Sequence, residues 1–264
     1  MNGPVGRLIG HRELLKNLLL RDIRAKYKGS VFGALWTIIN PLIMLLLYTY
    51  VFSIVLGVKW NTGQDTISFV MYLFCGLFPW MAFQEAISRS TNSIVENGSL
   101  LKSYPFPAKL LPFQIVISSM LNQLIGFAIL IVVMLIVHLP FTKMFLLIPI
   151  VLLIQFAFTL GLAWFFSSIN VFFRDISSSL GIILLMWMFA TPIFYPESIV
   201  PENLKFIITI NPLAHIVEAY RNLLLEGKCL QTQRVVILLI SSIVSLAAGY
   251  GLFNRTQQRF TDYV

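Results

Sequence analysis

A nucleotide-hydrolysing site needs a glycine-rich loop ending in Gly-Lys-Ser or Gly-Lys-Thr, because successive backbone N–H groups must converge on the phosphates. The one Gly-Lys pair here, Gly227-Lys228, is followed by Cys229 and lacks the upstream glycine. A metal centre needs His, Cys or carboxylates at ligand spacing, but His11, His138 and His215 lie in three separate segments, so no metal is expected. A membrane-embedded hydrolase would carry a G-x-S-x-G elbow or an HExxH helix, and neither is written in the chain. Ion-coupled transport would place ionisable side chains inside apolar segments, yet the long apolar runs contain no Asp, Glu, Lys or Arg. No catalytic residue and no cofactor bound by this chain are therefore expected. The energy for any work it does must come from elsewhere.

The elements that would hold a site follow from composition. Of the 264 residues 58% are hydrophobic and 11% charged, against roughly 25% charged in a soluble domain. A soluble globule and a disordered chain are both excluded. The apolar runs are long and continuous rather than alternating, so the fold class is all-α and polytopic, one transmembrane domain over residues 1–264. Runs long enough to cross are 33–58, 67–83, 113–138, 145–168, 180–195 and 235–253. Six crossings put both termini on one side. That side holds Arg7, Arg12, Lys16, Arg21, Arg24, Lys26, Lys28, Arg89, Lys102, Lys109, Arg174, Arg255 and Arg259; the other holds Lys59, Lys143, Lys205, Arg221, Lys228 and Arg234. By the positive-inside rule both termini are cytoplasmic. The net charge of +8 is then membrane topology, and nucleic-acid binding is not expected. Cys75 and Cys229 fall at different expected depths and read as structural.

Two segments are of another kind. Over residues 10–28, Leu15, Leu19, Ile23 and Tyr27 form an i, i+4 ladder with Leu18 beside it, opposite Asn17, Arg21, Arg24 and Lys28, which predicts an interfacial amphipathic helix. Residues 196–234 are apolar but broken by Pro196, Pro201 and Asn211-Pro212. They predict a re-entrant helix pair on the outer side, with Glu218 and Arg221 at its wet end; an ordinary surface loop is the alternative.

Candidate sites follow. The connection over residues 96–107, with Glu96, Leu101 and Lys102, suits a short helix that presses on a partner. The corner over residues 168–176 puts Arg174 and Asp175 behind Phe172 and Phe173, a poor surface unless something covers it. The aromatic residues Trp36, Tyr48, Trp187, Phe194 and Tyr195 are core or interfacial rings, or rings set along a wet path where sugars could stack.

The run Arg21-Asp22-Ile23-Arg24-Ala25-Lys26-Tyr27-Lys28-Gly29-Ser30 is followed by Gly33, Leu35, Trp36 and Asn40-Pro41. With Leu101-Lys102-Ser103-Tyr104-Pro105-Phe106-Pro107, Phe172-Phe173-Arg174-Asp175-Ile176, Thr191-Pro192-Ile193-Phe194-Tyr195-Pro196 and Asn211-Pro212-Leu213, it resembles the membrane permease subunit of ABC transporters that export O-antigen polysaccharide, capsule or teichoic acid. The ordered set covers essentially the whole chain. The resemblance implies a homodimer with two copies of a separate ATPase that binds ATP and Mg. It also implies an inner-membrane channel for a lipid-linked polysaccharide, with ATPase coupling through Glu96, Leu101, Lys102, Arg174, Asp175, Arg21 and Arg24. Trp36, Tyr48, Trp187, Phe194 and Tyr195 would then line the translocation path, and Pro196, Asn211, Pro212, Glu218 and Arg221 would form an outer gate. A small-molecule or drug exporter permease of the same ABC class is the alternative.

Overall fold

The computed structural model describes residues 12–26, 32–55, 66–103, 106–139 and 141–264. Among them the chain is entirely helical, with no strand. A helix satisfies its own backbone, which is what a chain this apolar requires in hydrocarbon. In chain order the helices are α1 (Arg12–Lys26), α2 (Trp36–Thr49, continued by a π-helical segment Tyr50–Val55), α3 (Thr66–Glu96), α4 (Gly98–Ser103), α5 (Leu110–Ile136) and α6 (Ile148–Phe172). There follow α7 (Asp175–Ala190), α8 (Lys205–Ile210), α9 (Pro212–Arg221, continued by a π-helical segment Asn222–Glu226), α10 (Thr232–Thr256) and α11 (Phe260–Tyr263). Among the described residues four stretches are long and apolar enough to cross a membrane: Phe69–Glu96, Leu110–Ile136, Lys143–Phe172 and Thr232–Tyr263. The apolar helices α2 and α7 are shorter, at 14 and 16 residues.

Several helix ends differ from the apolar runs. The run over 67–83 continues to Glu96, because Gln84, Glu85, Ser88 and Arg89 are polar without being helix breakers, and Glu85 pairs with Arg89 one turn on at 3.1 Å. The run over 180–195 starts earlier, at Asp175, whose carboxylate suits a first turn. It stops at Ala190, just ahead of Pro192, which disfavours helical geometry in the residue before it.

Most of α3 is buried, and it is the hub. Asn122 of α5 meets Glu85 and Phe127 meets Phe78, so α5 runs antiparallel to α3. Gln155 reaches the Pro79 carbonyl and Asn170 the Thr91 carbonyl, so α6 runs parallel to it. By the same logic α2 is antiparallel to α3, with Tyr48 against Phe74 and Trp36 beside Glu85. Pairs from Ile154 with Ser242 to Trp164 with Tyr250 make α10 parallel to α6. Several buried polar groups are matched across these contacts. The Gln123 and Gln155 amides bond each other reciprocally at 3.0 and 2.9 Å, and the Tyr220 hydroxyl of α9 donates to Gln155 Oε1 at 2.7 Å. At the closest approach of α6 and α10, a Cβ added to Gly249 would lie 1.9 Å from the Gly161 carbonyl oxygen. Ser242 and Ser245 donate to the carbonyls of Ile154 and Phe158 along that seam. Small residues let these two backbones touch, as helices packed in lipid require.

Candidate functional site

The ends of α3, α6 and α10 gather at one end of the bundle, and most of the charged candidates are there. Asn170, 1% exposed, donates to the Thr91 carbonyl at 3.0 Å and to Asn92 Oδ1 at 3.1 Å, and accepts from the Ser177 N–H at 3.2 Å. It thereby fixes the turn from α6 into α7 against α3. Phe173, Arg174 and Asp175 sit on that turn and are exposed; neither charge has an ion-pair partner among the described residues. Glu96 and Lys102 are exposed and Leu101 is half-buried around α4. The carboxy-terminal α11 packs on both α4 and α6, with Tyr263 edge-on to Phe172 and Val264 against Gly98. The two connections singled out by sequence are thus joined through the chain terminus.

On the same end α1 is clamped to the bundle. Leu18, Asp22 and Lys26 recur every four residues, so they share a face. Leu18 is buried, Asp22 pairs with Arg89, and Lys26 pairs with Glu85 at 2.8 Å. Asn17 and Arg21 are exposed, while the side chains of Ile23 and Arg24, and Tyr27 and Lys28 altogether, lie outside the described residues. Glu85 collects Lys26, Arg89 and, through Oε2, the Asn122 amide at 3.0 Å. Sequence reading missed this cluster because its members are 37 to 67 residues apart; the one local signal was Glu85 four residues before Arg89. Beside it lies a cleft of about 360 Å³ lined by Trp36, Thr37, Asn40, Ser88 and Asn122.

At the opposite end Arg221, expected at the wet end of a re-entrant pair, is instead 4% exposed. Its Nε–H donates to the Tyr72 carbonyl at 3.1 Å, Nη1 to the Tyr72 hydroxyl at 2.9 Å and the Pro192 carbonyl at 2.6 Å, and Nη2 to the Ile193 carbonyl at 2.8 Å. The guanidinium carbon stands 3.5 Å from the Tyr72 ring centroid. A guanidinium has five N–H donors in a fixed fork. Here two of them answer the Pro192 and Ile193 carbonyls, in the turn that follows α7, and Nε–H answers the Tyr72 carbonyl of α3. Among the described residues the buried cation has no carboxylate partner, so carbonyl dipoles and the ring face carry it.

Asn211 is the second staple of this end. Its Oδ1 accepts from the Leu213 N–H at 3.1 Å, capping α9, and from Trp187 Nε1 at 2.9 Å. Its Nδ2 reaches Thr191 Oγ1 at 2.9 Å. Pro212 occupies the first turn of α9, where a missing N–H costs nothing. Pro196 precedes the short turn Glu197–Ile199. Glu218 is half-buried and shares Arg234 with Glu197, whose carboxylate lies 3.0 Å from Nη2. The chosen aromatic residues do not form one array. Tyr48 and Phe194 have centroids 6.2 Å apart and Tyr195 donates to the Phe189 carbonyl at 2.6 Å. Trp187 is edge-on to Phe83 in the core, and Trp36 lines the cleft at the other end. No group of three or more potential metal ligands occurs among the described residues.

Residues 13–225 match the ABC-2 type transporter family, and the chain belongs to that family of membrane transporter permeases. It is 29% identical to an O-antigen export system permease protein of Myxococcus xanthus, over 98% of each chain. It is 31% identical to an O-antigen export system permease protein of Klebsiella pneumoniae, covering 95% of this chain and 94% of that one. A polysialic acid transport protein of Escherichia coli is 26% identical over 91% of this chain and 92% of its own length.

Proposed function

We propose that this chain is the channel-forming permease subunit of an ATP-driven exporter that moves a lipid-linked polysaccharide, O-antigen or a related cell-surface glycan, across the inner membrane. The observation that carries the reading is the end-to-end similarity to permeases named for O-antigen export. The chain works as a homodimer with two copies of an ATPase subunit, which binds ATP and Mg. It crosses six times through α2, α3, α5, α6, α7 and α10, with both termini cytoplasmic and α1 lying at the inner surface. Support for six crossings comes from the alternating directions of these helices, with α2 and α5 opposed to α3 and α6, and from their apolar composition.

The corner at Arg174-Asp175, α4 with Glu96, Leu101 and Lys102, and the Arg21 and Arg24 face of α1 receive the ATPase stroke. Rigid seating by Asn170 and α11 supports this role, because a coupling surface must pass on displacement rather than absorb it. The tagged chain is therefore expected to copurify with a nucleotide-binding ATPase and to hydrolyse no ATP alone. Arg174→Ala is expected to lower export and partner-coupled turnover about fivefold or more while insertion stays intact. Robust hydrolysis by the chain alone would sink the first expectation, and full export by both Arg174→Ala and Asp175→Ala variants the second.

On the outer side α8 and α9 form a re-entrant pair gating the channel mouth, with Pro196, Asn211, Pro212, Glu218 and Arg221 as its framework. Tyr48, Trp187, Phe194 and Tyr195 then line or back the path. A Cys229→Ser background leaves Cys75, which is fully buried. In it, cysteines at the exposed Ser198 and Lys228 are expected to react with a membrane-impermeant thiol reagent added from outside, whereas one at Ile208, 2% exposed, is protected. Labelling of positions 198 and 228 from opposite sides would show that the segment crosses.

A further inference from the structure

The two segments that carry the charged candidates, α4 and the corner over residues 173–175, have unequal support. The corner is fixed to α3 through Asn170. The α4 helix has six residues, too few to hold helical shape on its own. It joins α3 through a single turn at Asn97, whose carbonyl accepts from the Leu100 and Leu101 N–H groups at 3.1 and 3.2 Å. Its principal tertiary neighbour among the described residues is α11.

A bend places α11 there. The Thr256 hydroxyl donates back to the Leu252 carbonyl at 2.8 Å, a contact that bends helices, and α10 gives way to a 3-10 turn over Gln257–Arg259. Phe260 is then 1% exposed, edge-on to Phe253 at 5.1 Å and 6.3 Å from Phe172. Tyr263 stands edge-on to Phe172 at 4.9 Å. Val264, one turn beyond Phe260, closes on Gly98, where an added Cβ would lie 3.0 Å from the Val264 Cβ. One short helix thus holds α4 on one side and the last residue of α6 on the other, through ring edges whose geometry is directional.

We propose that α11 is a splint that makes α4 and the α6–α7 corner one body, with Phe260 and Tyr263 as its positioning residues. A stroke delivered to a loose six-residue helix is absorbed at its hinge; delivered to a splinted one, it reaches α3 and α6 together. The inference rests on the coupling reading above and deepens it, because both residues act through the seat of α4 rather than on the ATPase.

The experiment uses the chain copurified with its ATPase in phosphatidylcholine nanodiscs, on the Cys229→Ser background, with a nitroxide on a cysteine at the exposed Lys102 of α4. In Phe260→Ala and in Tyr263→Ala the label is expected to gain a mobile spectral component, while the ATPase stays bound through size exclusion and keeps hydrolysing ATP. In cells lacking the chromosomal gene, the same variants with Lys102 native are expected to lower surface glycan about fivefold or more at equal membrane level. Hydrolysis kept while export falls is a result that loss of folded protein cannot give. Phe260→Leu, which keeps an apolar side chain in the buried seat, should recover most of the export. Tyr263 is 54% exposed, so its removal leaves the core closed and reads the splint even where Phe260→Ala accumulates poorly. An unchanged spectrum at position 102 in Tyr263→Ala would overturn the splint. Reduced export in Arg174→Ala with full export in both α11 variants would also remove the splint and leave the coupling reading standing. Full export by Arg174→Ala and Asp175→Ala would remove the coupling reading itself, whatever the label shows.

Discussion

Gly249→Leu is expected to remove the folded protein from the membrane. A Cβ at position 249 would meet the Gly161 carbonyl oxygen at 1.9 Å, the Gly161 carbonyl carbon at 2.7 Å and its Cα at 3.0 Å. Every obstacle is backbone, so no side-chain rotation relieves the overlap, and α6 and α10 must separate along their whole seam. That separation strips the Ser242 and Ser245 hydroxyls from their carbonyl partners and forfeits the dispersion contacts that hold helices together in lipid. The cost should exceed about 4 kcal/mol, a large share of a stability of about 5–15 kcal/mol. The matched control is Gly251→Ala two residues on, where a Cβ meets nothing within 4 Å. Membrane-fraction immunoblots and size exclusion should show the Gly251→Ala variant at wild-type level and the Gly249→Leu variant absent or aggregated. Normal accumulation of Gly249→Leu would contradict the described seam.

Arg221→Met should be the most damaging substitution at the Arg221 end of the bundle. Methionine fills much of the space, but the carbonyls of Tyr72, Pro192 and Ile193 then lose their donors inside the protein. A buried carbonyl left without a donor costs about 1–3 kcal/mol, and those of Pro192 and Ile193 both lose theirs. At roughly 2–4 °C per kcal/mol for a chain of this size, the melting temperature of the purified protein should fall by roughly 10 °C. Arg221→Lys keeps the charge but cannot fork toward separate carbonyls, so it should lie between the two. A methionine variant that melts with the wild type would mean that the cage contributes nothing.

Most of the helical layout was legible in the residues. The apolar runs that start near Gly33, Ile67, Phe113, Phe145, Leu180 and Val235 each lie mostly on a helix over their described residues, because an uncharged run of that length has few alternatives. The helix ends were less legible: Phe83 and Leu180 looked like boundaries only because polar residues flank them, and Gln84 and Ser179 extend a helix readily. Pro192 and Pro212 did mark breaks, since a missing N–H acts locally. The clusters were illegible for the opposite reason. Nothing near Arg221 announces that Tyr72, 149 residues away, and the Pro192 carbonyl will enclose it. Likewise nothing near Glu85 announces Lys26. In both cases an arginine or glutamate beside an apolar run reads as a wet terminus until its partners arrive from other helices.

The central claim is that this chain carries a lipid-linked glycan outward. The most direct measurement deletes its gene and follows that glycan on both faces of the inner membrane, by extraction of lipid-linked material and by surface staining. Export through this chain predicts that lipid-linked glycan builds up on the cytoplasmic face, that the surface loses it, and that the wild-type gene restores both. A surface glycan unchanged by the deletion, with no internal build-up, would contradict the account.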